Sequence, residues 1–168
     1  MMLTLRFIHI VLGVFWGGAA FVTAGFLLPS AKAAGPGAGP MMRELIGVRR
    51  LPIVIMVAAI LTVLSGLGMY WHDNSVSNGA FAKSRQGMTL GIGAALAIIA
   101  VIIGMIFVAP TGNKLTRLTA TIAGAGAPPS AEQAKELAAL QTRMALASRA
   151  ATGLVGITII TMAIARYV

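Results

Sequence analysis

Long stretches without a charged residue dominate the pattern of hydrophobic and polar positions along this chain. Residues 7–31, 51–72, 86–113 and 150–165 contain no Asp, Glu, Lys or Arg. About 20 apolar residues cross the hydrocarbon core of a bilayer as a helix, so the first three stretches are long enough to span it. The fourth has an arginine at each end, and these long side chains can reach the membrane interface and lengthen the span. The pattern therefore predicts four transmembrane helices.

The stretches are rich in Ala and Leu and do not alternate, which favours helices over the strands of a membrane barrel. We predict an all-α, integral membrane four-helix bundle that forms one transmembrane domain over residues 1–168. The predicted helices cover residues 4–28, 51–71, 87–109 and 131–167, and about 149–167 of the last one spans the membrane. Pro29 and Pro110 are expected to end the first and third helices. The two prolines lie in similar short sequences, "FLLPSAK" and "FVAPTGN".

The connections differ in length and composition. The segment "AAGPGAGP" (33–40) is expected to be a flexible connector, and the Thr-, Gly- and Pro-rich segment 111–129 is not expected to have a core of its own. Ser130 and Gln133 match a capping box, so one helix is expected to continue from the cytoplasm into the bilayer. Its first half carries an apolar stripe, Leu137, Leu140 and Met144. The stripe fits two roles, packing against the other loops or the lipid surface, or docking a partner.

Charge is distributed unevenly between the two ends of the predicted bundle, within a net charge of +9. The connections after the first and third helices hold nine basic residues: Lys32, Arg43, Arg49, Arg50, Lys114, Arg117, Lys135, Arg143 and Arg149. The opposite end holds four: Arg6, Lys83, Arg85 and Arg166. By the positive-inside rule the richer end faces the cytoplasm and both termini face out. The basic excess therefore indicates topology and some contact with anionic lipid, and no nucleic-acid partner is expected.

Composition limits the chemistry of the chain. Hydrophobic residues make up 58% of it and charged residues 10%, whereas an ordinary soluble domain is about a quarter charged. The absence of cysteine excludes disulfides, thiolate nucleophiles and cysteine-based metal sites. No Asp or Glu lies within a predicted span, and no serine has a plausible base in reach. We therefore predict no catalytic residue and favour a protein that is not an enzyme.

Each predicted helix carries a stripe of small residues. On the first helix, a wheel at 100° per residue places His9, Gly13 and Gly17 on one small, polar face, opposite a bulky apolar face. In a membrane the small face packs against another helix, because small residues let two backbones approach closely. The residues predicted to form these packing seams are Gly13, Trp16, Gly17, Gly66, Gly93, Gly104, Gly153 and Gly156.

Both histidines of the chain are predicted to lie at the same end of the bundle and on inward faces. Two neutral imidazoles are axial ligands of haem iron, so His9 and His72 form a candidate haem b site. Imidazole combined with thioether suits copper, so His9, His72, Met69 and Met88 form the alternative metal site. The remaining interpretation is structural, with His9 hydrogen-bonded to a neighbouring helix and His72 an ordinary interfacial residue.

The sequences "LRFIHIVLGVFWGGAAF…FLLP" and "LTVLSGLGMYW" resemble the copper-resistance protein D type of integral membrane protein and related bacterial membrane families. In that group an aromatic–x–His helix is followed by Trp–x–Gly, by an inner proline, and by Thr/Ser–Gly–Leu in the second helix. The matching residues are His9, Trp16, Gly18, Pro29, Ser65, Gly66 and Leu67. The resemblance implies a bacterial inner-membrane bundle that handles copper. The first helix also resembles bacterial membrane protoporphyrinogen oxidase, whose polar residues in later helices are missing here, so that activity is not expected.

The sequence as a whole favours a non-catalytic accessory or partner-packing component of a bacterial inner-membrane assembly. Its expected partners are membrane lipid and either another protein or a second copy of the chain. The alternative function is haem b or copper binding at the outer leaflet through His9 and His72. A redox enzyme acting on a quinone or a porphyrin has the least support.

Overall fold

The structure is a computed structural model that describes residues 1–126 and 128–168, apart from the side chain of Pro36. The described chain is 92% helical and contains no strand. Four of its helices are long and apolar enough to cross a membrane, namely α1 (Met2–Ala34), α2 (Leu51–Val76), α3 (Arg85–Gly124) and α4 (Ala131–Tyr167). The predicted all-helical fold with four helices able to span a membrane is therefore confirmed.

Neighbouring helices run antiparallel in the order of the chain. His9 near the start of α1 lies against Gly66 in the second half of α2, and Thr158 of α4 donates a hydrogen bond to the carbonyl of Gly93 in α3. The closest packing is within the pairs α1–α2 and α3–α4, and the contacts of α1 with α4 and of α2 with α3 are sparser. We call the end with both chain termini the terminal end, and the end with the α1–α2 and α3–α4 connections the connector end.

The interior of the bundle consists mainly of small and hydroxyl side chains. Its buried residues include Ala58, Ala59, Thr62, Ser65, Ala97, Ala100, Thr152 and Thr158. Trp16, which is 8% exposed, is the largest member of the core cluster, whereas Phe7 and Phe26 point outward and are 67% and 70% exposed. Lipid solvates large apolar side chains well, so helices in a membrane gain more from the close approach that small residues allow. This distribution is the one expected of helices that pack together in a membrane.

α1 and α3 pass through a proline instead of ending there, which corrects the predicted ends at Pro29 and Pro110. A π-helical turn precedes each proline, Thr23–Leu27 in α1 and Gly104–Val108 in α3. Proline has no N–H donor and its ring clashes with the carbonyl four residues earlier, and the wider π turn accommodates both defects. The α-helix then resumes with the proline in its first turn, where no donor is required. The two similar sequences around the prolines thus have the same local structure.

The segment 111–129, predicted to have no core of its own, is mostly a continuation of α3 as far as Gly124. Ala127 lies outside the described residues. The continuation packs along the first half of α4, where Gly112 lies beside Met144. The apolar stripe of α4, Leu137, Leu140 and Met144, is half-buried. Of the two roles predicted for that stripe, packing within the chain is therefore the one observed. We call the paired segments Ala109–Gly124 and 131–148 the helical arm.

The connections are more ordered than the sequence predicted. Between α1 and α2 the chain forms a 3-10 turn, a short α-helix at Gly39–Arg43 and a π turn at Glu44–Val48. Arg50, in the left-handed region with φ 51°, then reverses the chain into α2. α2 continues to Val76, past the predicted end at residue 71, so that His72 belongs to the helix. The predicted capping box at the start of α4 is present.

Candidate functional site

His9 is attached to α2 by a hydrogen bond across the α1–α2 interface. Its Nδ1 atom lies 2.8 Å from the carbonyl oxygen of Thr62. A carbonyl oxygen only accepts hydrogen bonds, so Nδ1 carries the hydrogen, and in the neutral ring Nε2 keeps the free lone pair. This bond is the one expected from the structural interpretation of His9, and it also leaves Nε2 available to a ligand.

Gly66 provides the space that the His9 ring occupies. A Cβ atom built on Gly66 would lie 2.8 Å from Cε1 and 3.0 Å from Nδ1 of His9. Both distances are shorter than ordinary van der Waals contact, so a side chain at this position would displace the ring. One turn after His9 in α1, Gly13 lies beside Thr62 of α2. An added Cβ on Gly13 would be 3.4 Å from the Thr62 methyl group. The small residues here serve the histidine as well as the close approach of the two helices.

Two buried hydroxyl groups of α2 lie near the carbonyl that holds His9 and donate hydrogen bonds within the helix. The Ser65 hydroxyl lies 2.6 Å from the carbonyl oxygen of Leu61 and 3.0 Å from that of Thr62, and it donates its hydrogen to this pair. The Thr62 hydroxyl donates to the carbonyl of Ala58 at 2.7 Å. Both side chains thus satisfy their hydrogen-bonding needs within their own helix. The Thr62 carbonyl is consequently an acceptor shared between α2 and the His9 ring.

His72 occupies a different level of the bundle, two turns beyond Ser65 on nearly the same face of α2. It follows Gly66 by six residues, which corresponds to about 9 Å along the helix axis and about 120° around it. Met69 lies between these two positions and is half-buried, and Met88 near the start of α3 is 50% exposed. The four predicted ligands therefore share the terminal end, and only His9 among them is fixed by a hydrogen bond to a neighbouring helix.

The ligands for a metal at this end are few. Among the described residues, no group of three or more His, Cys, Asp or Glu side chains is arranged to hold a metal ion. A copper ion there would need thioether ligands in addition to imidazole, and Met69 and Met88 are the methionines predicted for that role. His9 has the feature that ligating histidines share, a ring N–H bonded to a backbone carbonyl.

Most of the glycines predicted to form packing seams lie where two helices meet. An added Cβ would come within 3.4 Å of a side chain of the adjacent helix at Gly13, Gly17, Gly66, Gly93, Gly104 and Gly156. Trp16 lies in the core between these seams. Gly153 is different, because it is exposed and an added Cβ would meet no atom within 4 Å. The structure therefore removes Gly153 from the seams within this chain.

Hydroxyl groups on α4 donate hydrogen bonds to neighbouring helices, and these bonds were not predicted from the sequence. Thr158 donates to the Gly93 carbonyl and Thr152 donates to the Ala20 carbonyl of α1, each at 3.3 Å. Both acceptors belong to small residues, which bring their backbones within reach of a short side chain. Ser148, on the same helix, is buried, and its hydroxyl has no partner among the described residues. The sequence signal that could have indicated these hydrogen bonds was the presence of Thr and Ser within or beside an apolar stretch.

A second feature lies at the connector end, where α3 and α4 border an open, largely apolar groove of about 850 Å³. Its walls are Ile103 and Phe107 of α3 and residues from 138 to 150 of α4. Arg143 is the one charged residue in this lining, and its guanidinium carbon lies 5.9 Å from the ring centre of Phe107. The sequence predicted neither the groove nor this contact.

The fold and these features define the class of the protein, an all-helical bundle with four helices long and apolar enough to cross a membrane and with small residues where the helices meet. Comparison with known proteins adds no family to this class, because no family model, curated protein or solved structure matches the chain. The resemblances to the copper-resistance protein D type and to membrane protoporphyrinogen oxidase therefore stay predictions that depend on the short motifs of α1 and α2.

Proposed function

We propose that this protein is a non-catalytic accessory component of a bacterial inner-membrane assembly, and that its bundle anchors a helical arm that packs against a protein partner. The observation that supports this proposal is the arm itself. Most of it lies outside the uncharged stretches of α3 and α4, and its two segments pack on each other. An arm that is continuous with two membrane spans keeps a fixed position relative to the bilayer, which suits a docking role.

The surface of the arm indicates what kind of contact it makes. Its apolar stripe faces inward, so a partner meets exposed polar and charged side chains such as Arg117, Thr121 and Glu136. Contacts of this kind obtain specificity and rapid association from complementary charge more than from apolar burial. We therefore propose a partner with a charged, polar face, either a different protein or a second copy of this chain.

We also propose that the connector end lies in the cytoplasm and that both termini lie outside, since nine of the thirteen basic residues are at the connector end. The chain has no cysteine, so single introduced cysteines test this orientation directly. In intact cells, a membrane-impermeant maleimide should label Ser77→Cys, in the turn after α2. It should label Thr121→Cys, in the arm, only after lysis. The reverse labelling pattern would place the arm outside.

Site-specific photo-crosslinking in intact cells tests the partner. A photoreactive residue at Thr121 or Glu136 should give one discrete adduct heavier than the chain, because both positions are exposed on the arm. The matched control is Ile160 on the membrane-spanning part of α4, which is 59% exposed and should give no discrete protein adduct. An adduct of twice the chain mass identifies a second copy as the partner. No protein adduct at either arm position would contradict the proposal.

One observation favours a second function, haem b or copper binding at the terminal end. Because the Nδ1 hydrogen of His9 is bonded to Thr62, the ring orientation is fixed and Nε2 carries the lone pair that would bind iron or copper. On this alternative His9 and His72 are the axial ligands of haem iron, or His9, His72, Met69 and Met88 are the ligands of copper.

A dithionite-reduced minus air-oxidised visible spectrum of the purified chain, with elemental analysis of the same sample, separates the two functions. A sharp b-type band that disappears in both His9→Ala and His72→Ala would establish haem and displace the accessory proposal. Stoichiometric copper that is lost in His9→Ala would do the same for copper. A featureless spectrum without stoichiometric metal would leave both histidines with structural roles.

A further inference from the structure

We propose that the groove between α3 and α4 at the connector end binds one anionic phospholipid, whose phosphate lies on Arg143 and whose acyl chain lies along Ile103, Leu146 and Ala150. This site is separate from the histidines at the terminal end, and it does not depend on the accessory function. The argument starts from the groove, which is apolar along most of its length and has a single cation in its lining.

The groove crosses the border between the membrane span and the arm. Ala150, at one end of it, begins the uncharged stretch of α4, and Ala138, at the other end, lies about 18 Å further along the helix. The headgroup region on each side of a bilayer is about 5–7 Å thick, so a groove of this length joins the hydrocarbon core to the aqueous side. A phospholipid has the same sequence of apolar and charged parts.

Arg143 belongs to the arm and lies about 10 Å from Ala150 along α4, at the level where the phosphate of such a lipid would be. The cation–π contact with Phe107 uses none of the N–H donors of the guanidinium, and these donors match phosphate oxygens in a bidentate arrangement. The Thr142 hydroxyl already donates to the Ala138 carbonyl at 2.9 Å, which leaves Arg143 as the side-chain donor in the lining.

The charge around the groove favours an anionic lipid over a zwitterionic one. The connector end carries nine of the thirteen basic residues and three of the four acidic ones, so its net charge is positive. Among the described residues, Arg49 and Glu44 form the ion pair that is present, and no carboxylate lies within salt-bridge distance of Arg143. The competing occupant, an apolar helix of another protein, would cover Arg143 without supplying a counter-charge, which is costly in a membrane.

Native mass spectrometry of the detergent-purified full chain tests this site by titration with dioleoyl phosphatidylglycerol or dioleoyl phosphatidylcholine. We expect one phosphatidylglycerol to bind at least about tenfold more tightly than phosphatidylcholine. Arg143→Gln should weaken this first binding event about tenfold, or about 1.4 kcal/mol, because it removes charge-assisted hydrogen bonds. Arg143→Lys should retain part of the affinity. The matched control is Arg166→Gln, because Arg166 also makes a cation–π contact, with Tyr167, but outside the groove.

A second variant tests the apolar part of the site. Leu146→Trp fills the groove at a position that is 65% exposed, so it should weaken lipid binding while the circular dichroism of the chain stays unchanged. The proposal is overturned if Arg143→Gln binds phosphatidylglycerol as the parent chain does, or if Arg166→Gln loses as much affinity. It is also overturned if soluble glycerol phosphate competes as well as the lipid, which would make the site one for free phosphate.

Discussion

The two halves of the bundle, α1 with α2 and α3 with α4, contain the same local irregularity and continue from it differently. In each half the first helix passes through a π turn and then a proline. After Pro29, α1 ends at Ala34, whereas after Pro110, α3 continues to Gly124. The proline and the π turn are equivalent in the two halves, so neither explains the difference in length.

The difference lies in what covers each helix beyond its proline. Leu28–Ala34 contains no buried residue, and Gly35, with φ 54°, ends it in a conformation that favours glycine. Ala109–Gly124 packs along α4 and buries Thr111. Short helices are marginal unless a neighbour covers one of their faces. The comparison therefore shows that tertiary packing, more than the proline, sets the length of these helices.

The largest expected loss of stability comes from a substitution at the α1–α2 interface of the first half. Gly66→Leu should lower the free energy of unfolding by about 1–3 kcal/mol, because its side chain would overlap a His9 ring that Thr62 holds in place. Denaturation of the purified chain in mixed micelles measures the loss. The control is Gly153→Leu on α4, where an added side chain meets open space and stability should not fall. Equal losses at the two positions would contradict the role of Gly66.

The next effect tests the arm, which only the second half has. Met144→Asp places a charge in the contact with Gly112, so the two arm segments should separate more often. Hydrogen exchange measured by mass spectrometry should show about tenfold faster exchange, or about 1.4 kcal/mol, in residues 109–124. Exchange within α1 and α2 should not change. Faster exchange throughout the bundle would mean that the arm and the bundle form a single cooperative unit.

A smaller effect is expected from the histidine of the first half. His9→Ala removes the bond to Thr62 and should cost about 1 kcal/mol of unfolding free energy. The informative measurement is the double variant with Gly66→Leu, in which His9→Ala should cost less or even restore stability, because the overlapping ring is gone. Strictly additive losses would show that the ring and Gly66 do not interact.

The smallest effect concerns two buried serines, one in each half. Ser148→Ala in α4 should raise the free energy of unfolding by about 0.5 kcal/mol, because the hydroxyl has no partner and alanine is the better helix former. Ser65→Ala in α2 should give no such gain, since the Ser65 hydroxyl donates to the Leu61 carbonyl. Thermal unfolding of the two variants in the same detergent compares them. A larger gain at Ser65 would contradict this assignment.

The four long apolar helices were predictable because long uncharged stretches allow few alternatives. The errors came at Pro29 and Pro110, where the rule that proline ends a helix competes with the ability of a π turn to absorb the defect. The extension of α3 had a signal that was not used, since Leu115, Leu118 and Ile122 recur at helical spacing. That pattern is enough to predict the extension of α3 only when the apolar stripe of α4 is known to pack against it.

The candidate site was predictable in part. The stripes of small residues placed His9 on an inward face, and the structure bonds it to α2 as the structural interpretation expects. The pairing of Gly66 with the His9 ring was not predictable, since it depends on the register between two helices. The groove around Arg143 was missed for the same reason, because Phe107 and Arg143 are distant in sequence and meet only through the arm.

The connection between the two halves has a consequence for how the chain is held together. It consists of a turn at Asn78 and Gly79, both with positive φ, followed by a short helix at Ala80–Lys83. The most closely packed helix pairs lie entirely on one side of it or the other. Cutting the chain there separates neither pair. The peptide link thus keeps the two hairpins at a high effective concentration, so that the sparser contacts between them are sufficient to hold them together.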